Sequence, residues 1–352
     1  MKRYQSAIGV RGDSLYCPLP LSIDTYWNCE PDCYHCYSRR LNRVWGMDLR
    51  PADSDAIARK LYNGLHSHRN PRSSLAWALY HKKTLRVGNR SDPYQPAELK
   101  HQITHQVLHT LIDLKWTFII QTRFTDNMSN DEDLILKAHS RGCITLLPVI
   151  SPGGEWDRTV LEKGITPRID DRLKTIKHYV QRGIPLGVGG EPFIPGLHTE
   201  QQFKDILKRL KAIGVGSYNT YNLHFNDHVA KQLVSIGLDI ERIWYYNQDE
   251  QWRLILRRLC EIADRLGIVL GCPDFVNVPH SYIAKSNTCC GISVTNPSRF
   301  NTDTWRRLLM KGKKPGWVLK RTWEGIGSRK MGRKILFGKP CEFYTMKDAG
   351  ML

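Results

Sequence analysis

Short apolar runs alternate with amphipathic stretches over the first two thirds of the chain. Apolar residues that recur three and four positions apart predict helices, over residues 53–67, 97–113, 131–141, 170–182 and 199–213. Runs of apolar, aromatic or β-branched residues without that period predict strands, over residues 21–27, 84–89, 117–122, 143–150, 185–189 and 216–223. Because strands alternate with helices, the pattern predicts parallel βαβ units in an α/β fold.

The remaining third of the chain has a different pattern. Residues 248–266 carry a full apolar stripe and predict a core helix, and residues 268–271 predict one more short strand. The chain has 352 residues, of which 41% are hydrophobic, so it can bury a sizeable core. We therefore predict an irregular lead-in over residues 1–20, an α/β domain over 21–235 and a C-terminal extension over 236–352.

Three cysteines follow the first predicted strand in one short loop. Cys29, Cys33 and Cys36 have the spacing C-x3-C-x2-C, and thiolates are the ligands that iron–sulfur clusters prefer. Three thiolates can hold three irons of a [4Fe–4S] cube and leave the fourth iron open for chemistry. A zinc knuckle would need a fourth ligand, for which His35 is poorly placed. Disulfides would suit a secreted protein, and three unrelated buried thiols are the remaining alternative.

This loop resembles the signature of radical S-adenosylmethionine (SAM) enzymes. The resemblance implies a [4Fe–4S] cluster on Cys29, Cys33 and Cys36 whose open iron is chelated by SAM. It further implies an electron donor such as flavodoxin or ferredoxin, cleavage of SAM to methionine and a 5′-deoxyadenosyl radical, and hydrogen abstraction from a substrate. The family usually has an aromatic residue before the last cysteine, packed on adenine; here it is His35, with Tyr37 beside it.

A second stretch strengthens the resemblance. Residues 91–98, SDPYQPAE, follow the second predicted strand and resemble the branch of radical SAM enzymes that contains spore photoproduct lyase. Together with residues 162–197, the resemblance covers roughly residues 20–225 and implies a partial (βα)6 TIM-like barrel. Ser91 and Asp92 would then face the amino or ribose groups of SAM. The alternative is a proline-rich turn in which Asp92 is only a cap.

Glycines follow the fifth predicted strand. Gly189 and Gly190 precede Glu191, and paired glycines allow the backbone to approach a ligand closely. At this end of the predicted barrel SAM is the natural candidate, and a tight turn is the alternative.

Further cysteines lie outside the main motif. Cys272, Cys289 and Cys290 predict an auxiliary iron–sulfur or zinc site, with ordinary buried thiols as the alternative. Cys17 and Cys143 have no partner by spacing, and each is a candidate hydrogen donor to a substrate radical.

Charge favours a polyanionic partner. The chain has 52 Lys and Arg against 34 Asp and Glu, a net charge of +18, and basic residues that neutralise phosphates release counterions. Residues 305–339 interleave these cations with aromatic rings, which can stack on exposed bases. The candidate nucleic-acid contacts are Arg306, Arg307, Lys313, Lys314, Lys320, Arg321, Trp317 and Trp323. A solvated basic surface is the alternative.

These observations predict a cytoplasmic radical SAM enzyme, in the host cytoplasm if viral. No apolar run is long enough to span a membrane, and no signal-peptide core is visible. The expected substrate is a thymine-derived base in DNA, which must leave the duplex to reach a buried radical. Relatives of this type in bacteriophages include an isomerase of thymidine hypermodification, and the C-terminal cysteines and basic tail favour such a rearrangement. A repair lyase, an enzyme acting on RNA or protein, and a nucleic-acid-binding protein with a structural cluster are the alternatives.

Overall fold

A computed structural model describes residues 4, 7–10, 19, 21–38, 48–66, 74–272 and 290–295. The strands of these residues are β1 (Ile8–Val10), β2 (Leu21–Ile23), β3 (Tyr26–Trp27), β4 (Arg50–Pro51), β5 (Leu85–Val87), β6 (Phe118–Thr122), β7 (Ile144–Pro148), β8 (Val188–Gly189), β9 (Ser217–Asn219) and β10 (Val269–Gly271). The α-helices are α1 (Ser54–Leu65), α2 (Ser74–Tyr80), α3 (Ala97–His101), α4 (Ile103–Asp113), α5 (Thr125–Met128), α6 (Glu132–Ser140), α7 (Ile169–Gln181), α8 (Glu200–Ala212), α9 (Asp227–Val234), α10 (Ile240–Tyr246), α11 (Asp249–Arg265) and α12 (Ile292–Thr295).

The main sheet is mostly parallel. Its order is β1-β2-β5-β6-β7, and the strands β2, β5, β6 and β7 run parallel, with Leu21 opposite Leu85 and Leu85 opposite Phe118. Helices connect these strands, so the βαβ alternation predicted from the sequence is confirmed. Residues 1–20 are not wholly irregular as predicted, because β1 pairs antiparallel with β2, with Ile8 opposite Ile23.

A second parallel sheet continues the first. Its order is β10-β9-β8, and isolated bridges Leu146↔Leu186 and Val149↔Gly189 join it to the edge strand β7. The fifth predicted strand is therefore only a two-residue ladder plus bridges. Among the described residues, the sheets remain open and form no closed barrel.

Several predicted helices start at identifiable caps. The Asp53 side chain accepts a hydrogen bond from the Ala56 amide at the start of α1, and Thr199 forms a capping box with Gln202 at the start of α8. The helix predicted over 97–113 is instead broken at Gln102, which has φ 50°. The Glu98 carboxylate accepts the backbone N–H groups of Thr104 and His105 beyond the break, so it caps the second half.

One large apolar cluster unites the sheets and their helices. It contains Val87, Ile120 and Leu146 from the first sheet, and Trp252 and Leu256 from α11. Since β10 also pairs with β9, α11 and β10 of the C-terminal extension share this core. No helix within the described ranges is both long and apolar enough to cross a membrane.

A smaller buried cluster lies beneath the cavity described below. It consists of Leu19, Ile119, Leu147, Cys290 and Ile292. Ile119 and Gln121 are two positions apart on β6, so their side chains share one face of the sheet. Because Gln121 lines the cavity, this cluster forms an apolar layer under the cavity floor, and we call it the floor cluster.

Candidate functional site

An open cavity lies at the carboxyl ends of the strands, where α/β folds place ligands. Its empty volume is about 1070 Å³, including open solvent. Many residues singled out in the sequence line it: Cys29, Cys33, Cys36, His35, Tyr37, Ser91, Asp92 and Glu191. The structure thus brings together the cysteine loop, the turn after β5 and the segment after β8.

The three cysteines of the loop face this cavity. Cys29 Sγ accepts a hydrogen bond from the Asp92 amide at 2.9 Å, and Cys36 Sγ lies 3.1 Å from Ser38 Oγ. Burial raises the pKa of the Cys33 thiol to about 12 and raises that of Cys29 well above its usual value. Thiols of this kind ionise on metal ligation rather than in solvent.

The cysteines do not converge on a point. Within the described ranges, no three His, Cys, Asp or Glu side chains are arranged to hold a single metal ion. A cube binds each cysteine at a different iron, so its ligands need not converge. N–H···S bonds to the ligand sulfurs, such as that from the Asp92 amide to Cys29 Sγ, are also typical of protein-bound clusters. The donor set therefore fits a cube.

The turn after β5 is held tightly by its own side chains. Ser91 Oγ donates to the Tyr26 carbonyl at 2.7 Å. The Asp92 carboxylate accepts hydrogen bonds from Thr122 Oγ1 at 2.6 Å and from the Arg123 amide at 2.7 Å. Burial raises the pKa of Asp92 despite these donors. Both side chains are thus engaged within the protein, although both residues line the cavity.

The remaining residues of the 91–98 stretch support the cysteine loop from behind. The buried Gln95 side chain donates to the Asn28 carbonyl at 3.1 Å and accepts from the Glu30 amide at 2.8 Å. Glu98 accepts from the Tyr26 hydroxyl at 2.5 Å. The motif therefore fixes the loop's position, a role that the sequence does not reveal.

Of Gly189, Gly190 and Glu191, which the sequence analysis singled out, only Glu191 lines the cavity. A Cβ at Gly190 would lie 2.0 Å from the Tyr218 ring, and one at Gly189 would lie 3.1 Å from Val149. These glycines therefore permit close packing within the protein, and neither borders the cavity where SAM was expected.

Glu191 connects several walls of the cavity. One carboxylate oxygen accepts from Asn219 Nδ2 at 2.6 Å, and the other from Gln121 Nε2 at 3.4 Å. Burial raises its pKa, while Arg86 and Arg123 oppose that effect. The polar layer above the floor cluster is thus organised around one buried carboxylate.

Arg123 is the main functional residue that the sequence analysis missed. Its Nε donates to Glu162 Oε1 at 2.8 Å, and Nη2 donates to the Glu191 carbonyl at 2.8 Å and lies 3.4 Å from His35 Nε2. Burial, reinforced by the Arg123 charge, lowers the pKa of His35 to about 4. The neutral ring then carries its proton on Nδ1. The sequence offered one indication of this residue, because Arg123 directly follows the predicted strand that became β6 and therefore lies at the carboxyl edge of the sheet.

Glu162 lies behind Arg123 in a buried ionic network. It also accepts from Arg172 Nη2 and Thr166 Oγ1, and both Arg172 and Glu162 are almost completely buried. Burial alone would raise the pKa of Glu162, but the Arg172 and Arg123 guanidiniums hold it well below its usual range. This network fixes the guanidinium that contacts His35.

Three neighbouring aromatic rings form one wall of the cavity. The His224 ring lies between Tyr37 and Tyr221, with ring centroids 4.8 Å and 4.9 Å apart. All three line the cavity. Burial raises the pKa of Tyr37 to about 12 and raises that of Tyr221 well above its usual value, so both phenols stay neutral.

Other predicted sites are not brought to the cavity. Cys272 and Cys290 are buried in separate apolar clusters, while Cys289 lies outside the described residues, so the auxiliary metal site stays a prediction. Cys143 is buried in the core and does not line the cavity. Cys17 and the basic, tryptophan-rich stretch 305–339 also lie outside the described residues.

Comparisons with known proteins support the fold. No protein-family model matches the chain. Uncharacterized proteins of Mycobacterium bovis and Mycobacterium tuberculosis are 22% identical over 224 residues, which is 62% of this chain. The chain spans about 63% of the length of these curated relatives.

Solved structures of spore photoproduct lyase share the architecture. The enzyme complexed with dinucleoside spore photoproduct superposes with a TM-score of 0.54 at 13% identity, over 75% of this chain and 79% of that one. A double mutant with bound AdoMet and dinucleoside spore photoproduct gives 0.53 at 13% identity, over the same shares. At this identity the likeness establishes a shared mixed α/β fold.

Proposed function

We propose that this protein is a radical SAM enzyme that acts on a thymine-derived base in DNA. The observation that carries the proposal is that three cysteines of one loop line a single cavity at the carboxyl edge of a parallel sheet. The two parallel sheets, joined by bridges, support a partial (βα)6 barrel as the scaffold of this proposed enzyme.

The residues fit the proposed cofactors. Cys29, Cys33 and Cys36 would hold a [4Fe–4S] cluster, and the His35 ring, with Tyr37 and Glu191, would border SAM. When bound, these cofactors would supply the radical chemistry, namely one-electron reductive cleavage of SAM and removal of a hydrogen from the substrate. Arg123 keeps His35 oriented, and the floor cluster excludes water from below.

The choice of DNA rests on charge and on the structural neighbours. Residues 296–352 contain 14 Lys and Arg against 4 Asp and Glu, a composition suited to phosphate contacts. The spore photoproduct lyase structures contain a dinucleoside lesion. By analogy, we propose that this protein acts on a base of the same class. We propose that the reaction is a rearrangement in thymidine hypermodification. The fold similarity makes a repair lyase the second candidate.

The test begins with anaerobic reconstitution of the full chain. The wild type should hold about four irons per chain and release 5′-deoxyadenosine with SAM and dithionite. Cys29→Ala should do neither, whereas Cys260→Ala, which removes a buried thiol far from the loop in sequence, should retain both. Zinc in place of iron, or iron without SAM cleavage, would refute radical chemistry.

Nucleoside analysis then separates the two products. The protein is incubated with dinucleoside spore photoproduct and, separately, with DNA containing N-linked glycyl-thymidine. A rearrangement leaves the nucleoside mass unchanged but shifts its retention, and a lyase converts the photoproduct to two thymidines. Reaction only with RNA or protein would exclude the DNA proposal.

A further inference from the structure

Gln121 presents an unpaired acceptor to the cavity. Its Oε1 is buried and has no hydrogen-bond partner among the described residues, and its side chain lines the cavity above the floor cluster. A buried acceptor without a donor is costly. It therefore indicates a group that arrives with a ligand.

The orientation of this amide follows from its neighbours. The Gly190 amide donates to Asn219 Oδ1 at 3.2 Å, which turns Asn219 Nδ2 towards Glu191. The Gln121 side-chain nitrogen donates to the second Glu191 oxygen at 3.4 Å. Because an amide oxygen cannot donate, the nitrogen is the atom that faces Glu191. The oxygen is then left facing the ligand.

Donors accompany this acceptor. Arg86 also lines the cavity and lies close enough to Glu191 to oppose the rise of its pKa. The other buried cavity-lining atom without a partner in the described part of the chain is His35 Nδ1, which carries a proton because Nε2 faces Arg123. The site thus combines one unpaired acceptor, Gln121 Oε1, with the guanidinium of Arg86 as a donor in the same cavity.

A pyrimidine imide has the complementary pattern. Thymine presents one N–H, at N3, between two carbonyl oxygens, whereas the cytosine amino group has two N–H bonds to satisfy. The wall of Tyr37, His224 and Tyr221 offers ring faces for stacking. Changes at the thymine methyl group leave the imide edge intact.

We propose that Gln121 is a specificity-determining residue whose Oε1 accepts N3–H of a thymine-type base, with Arg86 donating to an adjacent carbonyl. This inference rests on the proposed function, since it names the edge by which that site would recognise its base. It concerns binding only, so it can be tested apart from radical chemistry.

The first test uses the wild-type full chain and fluorescence anisotropy. The probes are single-stranded oligodeoxynucleotides that carry one central base among abasic positions: thymine, N3-methylthymine or cytosine. Phosphate contacts are common to all three and cancel in the ratio of dissociation constants. Thymine should bind about tenfold more tightly than either alternative, as expected for one buried hydrogen bond with its partner removed. Equal binding of thymine and N3-methylthymine, or of thymine and cytosine, would overturn the proposal.

The second test uses Gln121→Met, which keeps the length of the side chain and removes the acceptor. The thymine preference over N3-methylthymine should fall to about one, because no acceptor remains for N3–H. Gln201→Met, on the exposed face of α8, is the matched control and should keep the preference. A Gln121→Met protein that keeps it would refute the role of this residue.

SAM affinity, measured by equilibrium dialysis, separates the two possible ligands of Gln121. If Gln121 binds the base, Gln121→Met should change the SAM dissociation constant by no more than about twofold. A loss of SAM affinity of about tenfold would assign the acceptor to SAM and overturn the proposal. Failure of the proposed function has a different signature, namely no cluster or no 5′-deoxyadenosine, and leaves the base preference measurable.

Discussion

Neutralising Glu162 should destabilise the protein severely. Glu162→Gln keeps the shape of the side chain but removes the only anion that receives both Arg123 Nε and Arg172 Nη2 in the described part of the chain. Arg172 is fully buried, with none of its side chain exposed, so its charge has no solvent to compensate. The variant leaves an uncompensated guanidinium in the core.

The magnitude follows from that burial. Removing one partner of a buried ion pair costs about 3–5 kcal/mol, a large share of a typical free energy of unfolding of about 5–15 kcal/mol. The control is Glu200→Gln, which breaks the exposed pair with Arg258. It should cost less than about 1 kcal/mol.

The dependence on pH makes the reasoning specific. The folded pKa of Glu162 is lowered, so its stabilisation is complete above the unfolded value of about 4.3 and is lost as the pH falls. Protonated Glu162 resembles Gln, and the difference between wild type and Glu162→Gln should therefore shrink by about 1.4 kcal/mol per pH unit below about 4.3.

Urea denaturation from pH 7 to pH 3, followed by tryptophan fluorescence, measures both quantities. Other groups that titrate in this range are common to the two proteins and cancel in the difference. A cost at pH 7 no larger than that of Glu200→Gln, or a cost independent of pH, would show that the ionic network does not hold this part of the core.

Two further predictions concern packing and nucleic acid. Gly190→Ala should lower the free energy of unfolding by about 1–3 kcal/mol, because the new Cβ would meet the Tyr218 ring at 2.0 Å. A Cβ at Gly216 would have no atom within 4 Å, so Gly216→Ala should be tolerated. Equal thermal midpoints of the two variants would contradict this prediction. Replacing Lys313, Lys314, Lys320 and Arg321 by Gln should weaken single-stranded DNA binding and reduce its logarithmic salt slope by about 3; an unchanged slope would exclude phosphate contacts by these residues.

The alternation of strands and helices was predictable because it depends on local periodicity. Phe118–Thr122 and Ile169–Gln181 lie within one residue of their predicted ends. The break at Gln102 was not predictable, because it depends on the Glu98 carboxylate capping the next helix across the gap. The strand at Ile8–Val10 was missed because its pairing partner, rather than its own sequence, defines it.

The site residues likewise divide into those that local sequence predicts and those that depend on distant contacts. Cys29, Cys33 and Cys36 are close in sequence, so spacing alone predicted that they would share a loop. Arg123 and Gln121 could not be singled out in this way, because they are tied to the site by contacts with residues far away in the chain, such as Glu191. Gly190 was identified as important, but its neighbour is the Tyr218 ring rather than a ligand.

The floor cluster also bears on the order in which the chain folds. Leu19 and Ile292, which meet there, come from opposite ends of the described sequence. Contacts of such high sequence separation form late, because closing a long loop is entropically costly. During synthesis, the inner sheet face at Ile119 and Leu147 therefore lacks the part of its cover that Cys290 and Ile292 provide until residue 292 has left the ribosome. Nascent chains that stall earlier expose this apolar surface to chaperones or to one another.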